Sequence, residues 1–359
     1  MNFTDDFRNA GLVKKLLDAI RSYSGQKLKI MEVCGGHTMA IRRYGIHTLL
    51  PESIELKSGP GCPVCVTGQQ FIDRAIGYAR LPDTMLLTYG DMLRVPGSFS
   101  SLDRAKAAGA DVQIIYSTQQ ALELARKHPD KNIVFAAIGF ETTVPGTAIA
   151  LLTAARENLT NFYVLCAHKT MPQAMEALVE EGIPIDGYIG PGHVSSVAGS
   201  RIFNSLAEKY KLPVVVSGFE PLDLVQSVWM ILKMITNHRH GVKIQYNRLV
   251  KEEGNRKARQ MIEEVFEPST QYWRGIGEIP DSGLAIRESF SQFDAEKQIP
   301  IEVETGPEPR GCICGQVLKG LNSPGDCRLF GKACTPANPV GACMVSSEGA
   351  CNAWFRYQA

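Results

Sequence analysis

Six of the ten cysteines in this chain fall in one stretch near its end, between Gly311 and Cys351. They are Cys312, Cys314, Cys327, Cys334, Cys343 and Cys351, separated mostly by Pro, Gly, Asn and Ser. A segment of that composition has too few apolar groups to hold its own shape, so it needs a cross-link: disulfides, zinc or an iron-sulfur cluster. Structural zinc takes its ligands in close pairs, and this tail contains no C-x2-C; the compact ferredoxin run is missing as well. A cluster accepts four thiolates from distant loops, which leaves two sulfurs for a redox pair. That arithmetic suits a cluster beside a dithiol better than three disulfides. No C-x3-C-x2-C occurs, which argues against a radical enzyme dependent on S-adenosylmethionine.

The rest of the chain sets the context. Its 359 residues suffice for two or three domains with cores of their own, and a formal net charge of +1 gives no basic field for nucleic acid or an anionic membrane. No apolar run approaches the length of a membrane span, and the acidic, interrupted start does not make a signal peptide. A cytoplasmic protein is expected, a compartment where clustered cysteines are more often metal-binding or catalytic than disulfide staples.

Short apolar strands alternate with Gly-rich turns and amphipathic helices. The first strand, KLKIMEV, runs into Cys34-Gly35-Gly36-His37-Thr38, with Thr38 expected to cap the next helix. Cys34 then stands at a strand's carboxyl end beside a helix amino end, the functional edge of an open α/β sheet and a setting that favours the thiolate. SIELKS leads into Gly59-Pro60-Gly61-Cys62-Pro63-Val64-Cys65, where a C-x2-C opens a helix as in thioredoxin-type redox pairs. Asp91 and Arg94 lie between two further strands, TMLLTYG and DVQIIYS, and could line the same edge or belong to an ordinary solvated loop. NIVFAAIGF ends at Gly139-Phe140-Glu141-Thr142-Thr143, where Glu141 either complements a helix dipole or binds a ligand, and Thr142 or Thr143 caps the helix. Cys166 lies mid-strand among apolar neighbours and reads as core. GPGH at His193 echoes GPGC at Cys62, and GFE at Glu220 echoes GFE at Glu141. The echoes suggest two similar α/β domains from an internal duplication, their functional edges facing a shared cleft.

The expected fold class is therefore α/β: two similar open domains with mainly parallel sheets, plus a C-terminal loop- and helix-rich iron-sulfur domain. The limits read from the sequence are 1–123, 124–240 and 241–359. From EPSTQYWRGIGEIPDSG onward the chain reads as loop-rich, with Trp273 as an anchor.

CGGHT, GPGCPVC, GFETT and the ending CRLFGKACTPANPVGACMVSSEGACNAWFRY, in that order, resemble the HypD family of NiFe-hydrogenase maturation proteins. The resemblance runs almost end to end. It implies a scaffold that, with a HypC-type chaperone, holds iron while cyanide and carbon monoxide ligands are attached, cyanide arriving from a HypE-type donor. The finished Fe(CN)2CO unit then passes to the hydrogenase large subunit. On this resemblance Cys34 holds the iron, with His37 and Thr38 beside it, and Cys62 and Cys65 form a redox pair. Glu141 and His193 join these as site candidates. A 4Fe-4S cluster is assigned to Cys312, Cys327, Cys334 and Cys351, and a nearby pair to Cys314 and Cys343; spacing alone leaves Cys312 and Cys314 interchangeable. An electron relay from the tail through both cysteine pairs to Cys34 is the expected logic. The competing function is a cluster-dependent dithiol-disulfide oxidoreductase resembling ferredoxin-thioredoxin reductase.

Overall fold

The computed structural model describes residues 6–357. Its strands, in chain order, are β1 (Leu28–Glu32), β2 (Ile54–Ser58), β3 (Thr84–Thr88), β4 (Val112–Ile114), β5 (Asn132–Gly139), β6 (Phe162–His168), β7 (Gly187–Pro191), β8 (Pro213–Ser217), β9 (Gly241–Ile244), β10 (Phe266–Trp273) and β11 (Gly277–Ile286). One sheet has the order β2-β1-β7-β8-β9 and another β4-β3-β5-β6, all pairs parallel; β10 and β11 form an antiparallel hairpin. The fold is thus α/β with two parallel sheets and a C-terminal helix and loop region. β3, β7 and β8 are buried along their whole length, and β5 along all but its first residue. That is why their sequences read as continuous apolar runs instead of alternating.

The limits at 123 and 240 do not follow the sheets. β1 pairs with β2 on one side and with β7 on the other, so residues 28–58 and 187–244 build one sheet around an inserted second sheet. Met31, Val33, Tyr188 and Val214 share an apolar cluster with Leu86, Val134 and Leu165 of the other sheet. Strand pairing is set by these long-range contacts, which no local pattern in one chain displays.

Local signals specify many of the helices. Asn9 caps Ala10–Arg21, Ser117 caps Thr118–Lys127, and a reciprocal Glu220–Asp223 box with Pro221 opens Pro221–Thr236. Two threonines depart from the expected capping role. Thr38 lies inside the helix Gly35–Arg43, whose cap is Cys34, because its hydroxyl donates to Glu32. Thr143 does cap Val144–Arg156 by position, but its hydroxyl turns back to the carbonyls of Ile138 and Phe140.

The stretch read as loop-rich is the β10–β11 hairpin. Its residues alternate irregularly and contain Pro268 and Pro280, so they give no period-two signal. Trp273 does anchor it: the ring is fully buried, its Nε1 donates to Ser282 Oγ at 2.8 Å, and it stacks on Phe140 at 5.8 Å.

Candidate functional site

Cys34 ends β1 in extended backbone (φ −149°) and caps Gly35–Arg43. The loop after β2 runs directly against it: Gly35 N–H donates to Gly61 O at 2.9 Å, and a Cβ at Gly61 would stand 2.1 Å from Cys34 N. Only glycine permits that approach, and the approach brings Cys62 beside Cys34. Below the turn, the Glu32 carboxyl accepts the Cys34 N–H at 3.0 Å and the Thr38 hydroxyl. Glu32 is buried, and burial pushes its carboxyl up to about 8 despite those two bonds.

Burial also decides the state of the thiol. Cys34 is pushed up to about 12, chiefly by desolvation, with the charges of Glu348 and Glu32 adding to it. The expectation that the helix end favours a thiolate is therefore not met: desolvation beside two carboxyls outweighs a helix terminus. A protonated thiol of this kind gives up its proton when a metal cation arrives.

His37 is fully buried, its Nε2 3.2 Å from Ser217 O, and burial lowers it to about 4, so it is neutral. Its Nδ1 has no partner among the described residues. Phe219 stands between two imidazoles, 4.6 Å from His37 and 4.0 Å from His193 in ring centroids. Glu220, the echo of Glu141, instead pairs with Arg8 at 2.6 Å.

Cys62 and Cys65 are joined in a disulfide, Cys62 capping the short helix Pro63–Val66. The hairpin grips this loop. Thr67 bridges Trp273, Arg274 N–H donates to Val66 O at 2.8 Å, and Arg274 Nε donates to Thr67 O at 2.9 Å. The next residue, Gly275, touches Gly315 so closely that a Cβ there would lie 2.2 Å from its Cα. One turn thus contacts both the disulfide loop and the segment carrying Cys314.

In the tail, Cys312, Cys314, Cys327, Cys334 and Cys351 surround one hollow together with Val317, Leu329, Phe330 and Met344. Hydrogen bonds with Cys314 and Cys351 raise the Cys343 thiol, and hydrogen bonds with Cys314 and then Cys343 draw Cys351 down to about 6. Cys334 Sγ accepts the Val340 N–H at 3.3 Å. Among the described residues no three His, Cys, Asp or Glu side chains form a single-ion site. Sulfurs ringing a hollow, with apolar walls and an amide aimed at one of them, fit a multi-iron cluster better than one zinc ion.

Sequence reasoning missed the surroundings. Arg274 is buried, with Nη2 unpartnered among the described residues, and its charge acts on Cys312. Glu32 sits in an apolar run that gives no hint of a site, and in the GFE echo the sequence points to Glu220, whereas it is Phe219 that stacks on the two imidazoles. Asp91 and Arg94, read as possible site residues, fasten the tail: Asp91 accepts from Ser346 at 2.6 Å and Arg94 donates to Pro336 O at 2.9 Å. Cys166 is half-buried and donates to Leu284 O at 3.3 Å. Glu141 lies at the end of β5, on a different sheet from Cys34, buried and with its Oε1 accepting Met171 N–H at 3.0 Å.

A parallel α/β framework whose sheet edge presents a buried cysteine, a disulfide and a thiol-lined tail defines a cysteine-rich α/β protein. Comparison with known sequences makes this specific. A family profile described as "HypD: Hydrogenase formation hypA family" matches residues 11–358. The chain is 47% identical over 367 residues to the hydrogenase expression/formation protein HupD of Azotobacter chroococcum, covering 99% of this chain and 97% of that one. It is 44% identical over 369 residues, with the same coverage, to the hydrogenase maturation factor HypD of Cupriavidus necator. The chain belongs to the HypD family of hydrogenase maturation factors. No helix among the described residues is long and apolar enough to cross a membrane.

Proposed function

We propose that this chain is the scaffold on which one iron atom acquires its cyanide and carbon monoxide ligands, acting with a HypC-type chaperone and a HypE-type cyanide donor before delivery to a hydrogenase large subunit. The observation that supports the reading is the close approach of Gly61 to Cys34, which sets the loop of the Cys62–Cys65 disulfide against the buried Cys34. Iron is the cargo. Cys34 supplies a soft sulfur suited to low-spin ferrous iron, its proton leaving as the metal binds. Neutral His37 and the Thr38–Glu32 pair line its turn, and His193 stacks on the Phe219 ring that also meets His37.

Cys62 and Cys65 exchange two electrons and two protons between disulfide and dithiol. A 4Fe-4S cluster held by Cys312, Cys327, Cys334 and Cys351 would supply electrons one at a time. The charge of Arg274 acts on Cys312, the first of these four. Cys314 lies within hydrogen-bond reach of Cys343, as a second dithiol pair requires. The disulfide also keeps a second reading in play, a dithiol-disulfide oxidoreductase. Replacing Cys62 and Cys65 separately by Ser decides whether the pair serves assembly. Both variants are expected to abolish hydrogenase maturation in cells; unaltered maturation excludes the role, and reduction of a disulfide substrate without hydrogenase partners favours the second reading.

A further inference from the structure

Arg274 carries a charge it cannot shed, in a place that does not tolerate a charge alone. It stands in the turn between β10 and β11, is 2% exposed, and makes no ion pair among the described residues. Its Nε donates to Thr67 O at 2.9 Å, while its Nη2 has no partner among the described residues. One neutral acceptor does not offset a buried guanidinium. Elsewhere the chain meets its buried charges: Asp223, fully buried, is paired with Arg248 at 2.5 Å. Lys169, buried near the Trp273 ring, is lowered to about 8 by desolvation and can give up its proton. Arginine in a protein keeps its proton.

What lies near Arg274 is sulfur. Gly275, the next residue, packs so tightly on Gly315 that a Cβ there would stand 2.2 Å from the Gly315 Cα, and Gly315 follows Cys314. The Cys312 and Cys314 sulfurs meet at Gly341, where a Cβ would lie 2.7 and 3.0 Å from them. A hydrogen bond with Cys314 and burial raise the Cys312 thiol, and the charge of Arg274 works against both. No carboxylate among the described residues completes this guanidinium, which leaves thiolate sulfur as its anion.

We propose that Arg274 is the buried counter-ion of the 4Fe-4S cluster, its charge and its free Nη2 donor favouring the reduced form and so raising the reduction potential. On the cluster reading, on which this assignment depends, each electron taken up adds one negative charge beside the guanidinium. A fixed cation in low-dielectric surroundings stabilises that gain, and hydrogen bonds to the sulfurs act in the same direction. The residue also ties the tail to the disulfide loop, since its Nε and backbone N–H hold Thr67 and Val66 just beyond Cys65.

The test is a redox titration of the full chain, purified without oxygen and followed by electron paramagnetic resonance, with dithionite oxidised as the cluster is reduced. It compares wild type with the neutral variants Arg274→Met and Arg274→Gln, the charged variant Arg274→Lys, and Arg328→Met. Arg328 is exposed beside Cys327, so water screens its charge and it serves as the control. The midpoint is expected to fall by about 59 mV or more in the neutral variants, a tenfold shift against the reduced form, and by less in Arg274→Lys and Arg328→Met. Equal midpoints for wild type and the neutral variants overturn the assignment and leave the cluster reading standing. Where the neutral variants lose the cluster, or the fold with it, recovery in Arg274→Lys upholds the role of the charge and no recovery overturns it. A wild-type chain without inorganic sulfide overturns the cluster reading, and the assignment falls with it. Thermal unfolding of each variant separates a shifted potential from a lost fold.

Discussion

Glu141 is a carboxyl group held by one backbone N–H, and burial pushes it up to about 7. Its folded value lies above its unfolded 4.5, so the protonated form is the one folding favours. The stability attached to this group is complete below pH 4.5 and is lost as pH rises to about 7, staying flat above. Glu141→Gln keeps the acceptor for Met171 and cannot ionise. The variant should therefore gain on wild type across that window, by up to about 3 kcal/mol in urea unfolding. A difference that does not change with pH contradicts the account. The sequence shows Glu141 at a strand-to-helix turn, but not its burial, because the residues that enclose it come from Met171 and the hairpin beyond. Cys34 teaches the same lesson: its turn is plain from strand, glycines and helix, while the burial that chiefly keeps its proton on, and the charge of Glu348 in the tail that adds to it, come only with the folded chain.

At the scale of elements, the hairpin does most to join the parts. It touches the Cys62–Cys65 loop through Trp273 and Arg274, the Cys314 segment through Gly275, and β6 through Lys169, whose Nζ donates to Tyr272 O at 2.7 Å. Trp273→Ala removes a fully buried ring with its bond to Ser282 and should cost about 3–5 kcal/mol in urea unfolding, with Ser282→Ala costing about 1. A loss below about 1 kcal/mol for Trp273→Ala would mean the hairpin is not fastened through this ring. Trp273 is legible as an anchor because a tryptophan in a polar, glycine-containing stretch has few other reasons to be there. The strands around it are not, since two prolines and a register break erase the alternation by which strands are recognised.

For the whole molecule, the parallel α/β class and the helices follow from apolar runs and capping residues, whereas the assignment of strands to sheets does not. β1 and β2 lie far in sequence from β7 to β9, and only the closed chain brings them into one sheet. That crossing has a functional result. It places Cys34 from the first turn, Ser217 at the end of β8 with Phe219 just beyond, and Glu348 of the tail around one sheet edge. The GPGC and GPGH echoes also fall on this one sheet, at the ends of β2 and β7, so the two turns lie on either side of the β1 turn that carries Cys34.

The central claim is that the Cys34 sulfur holds the iron while its ligands are attached. The most direct measurement is the infrared spectrum of the protein purified without oxygen together with its HypC-type partner, for wild type and Cys34→Ala. Wild type should carry iron with bands from bound cyanide and carbon monoxide, and Cys34→Ala should lose both the iron and the bands. A Cys34→Ala protein that keeps them contradicts the account.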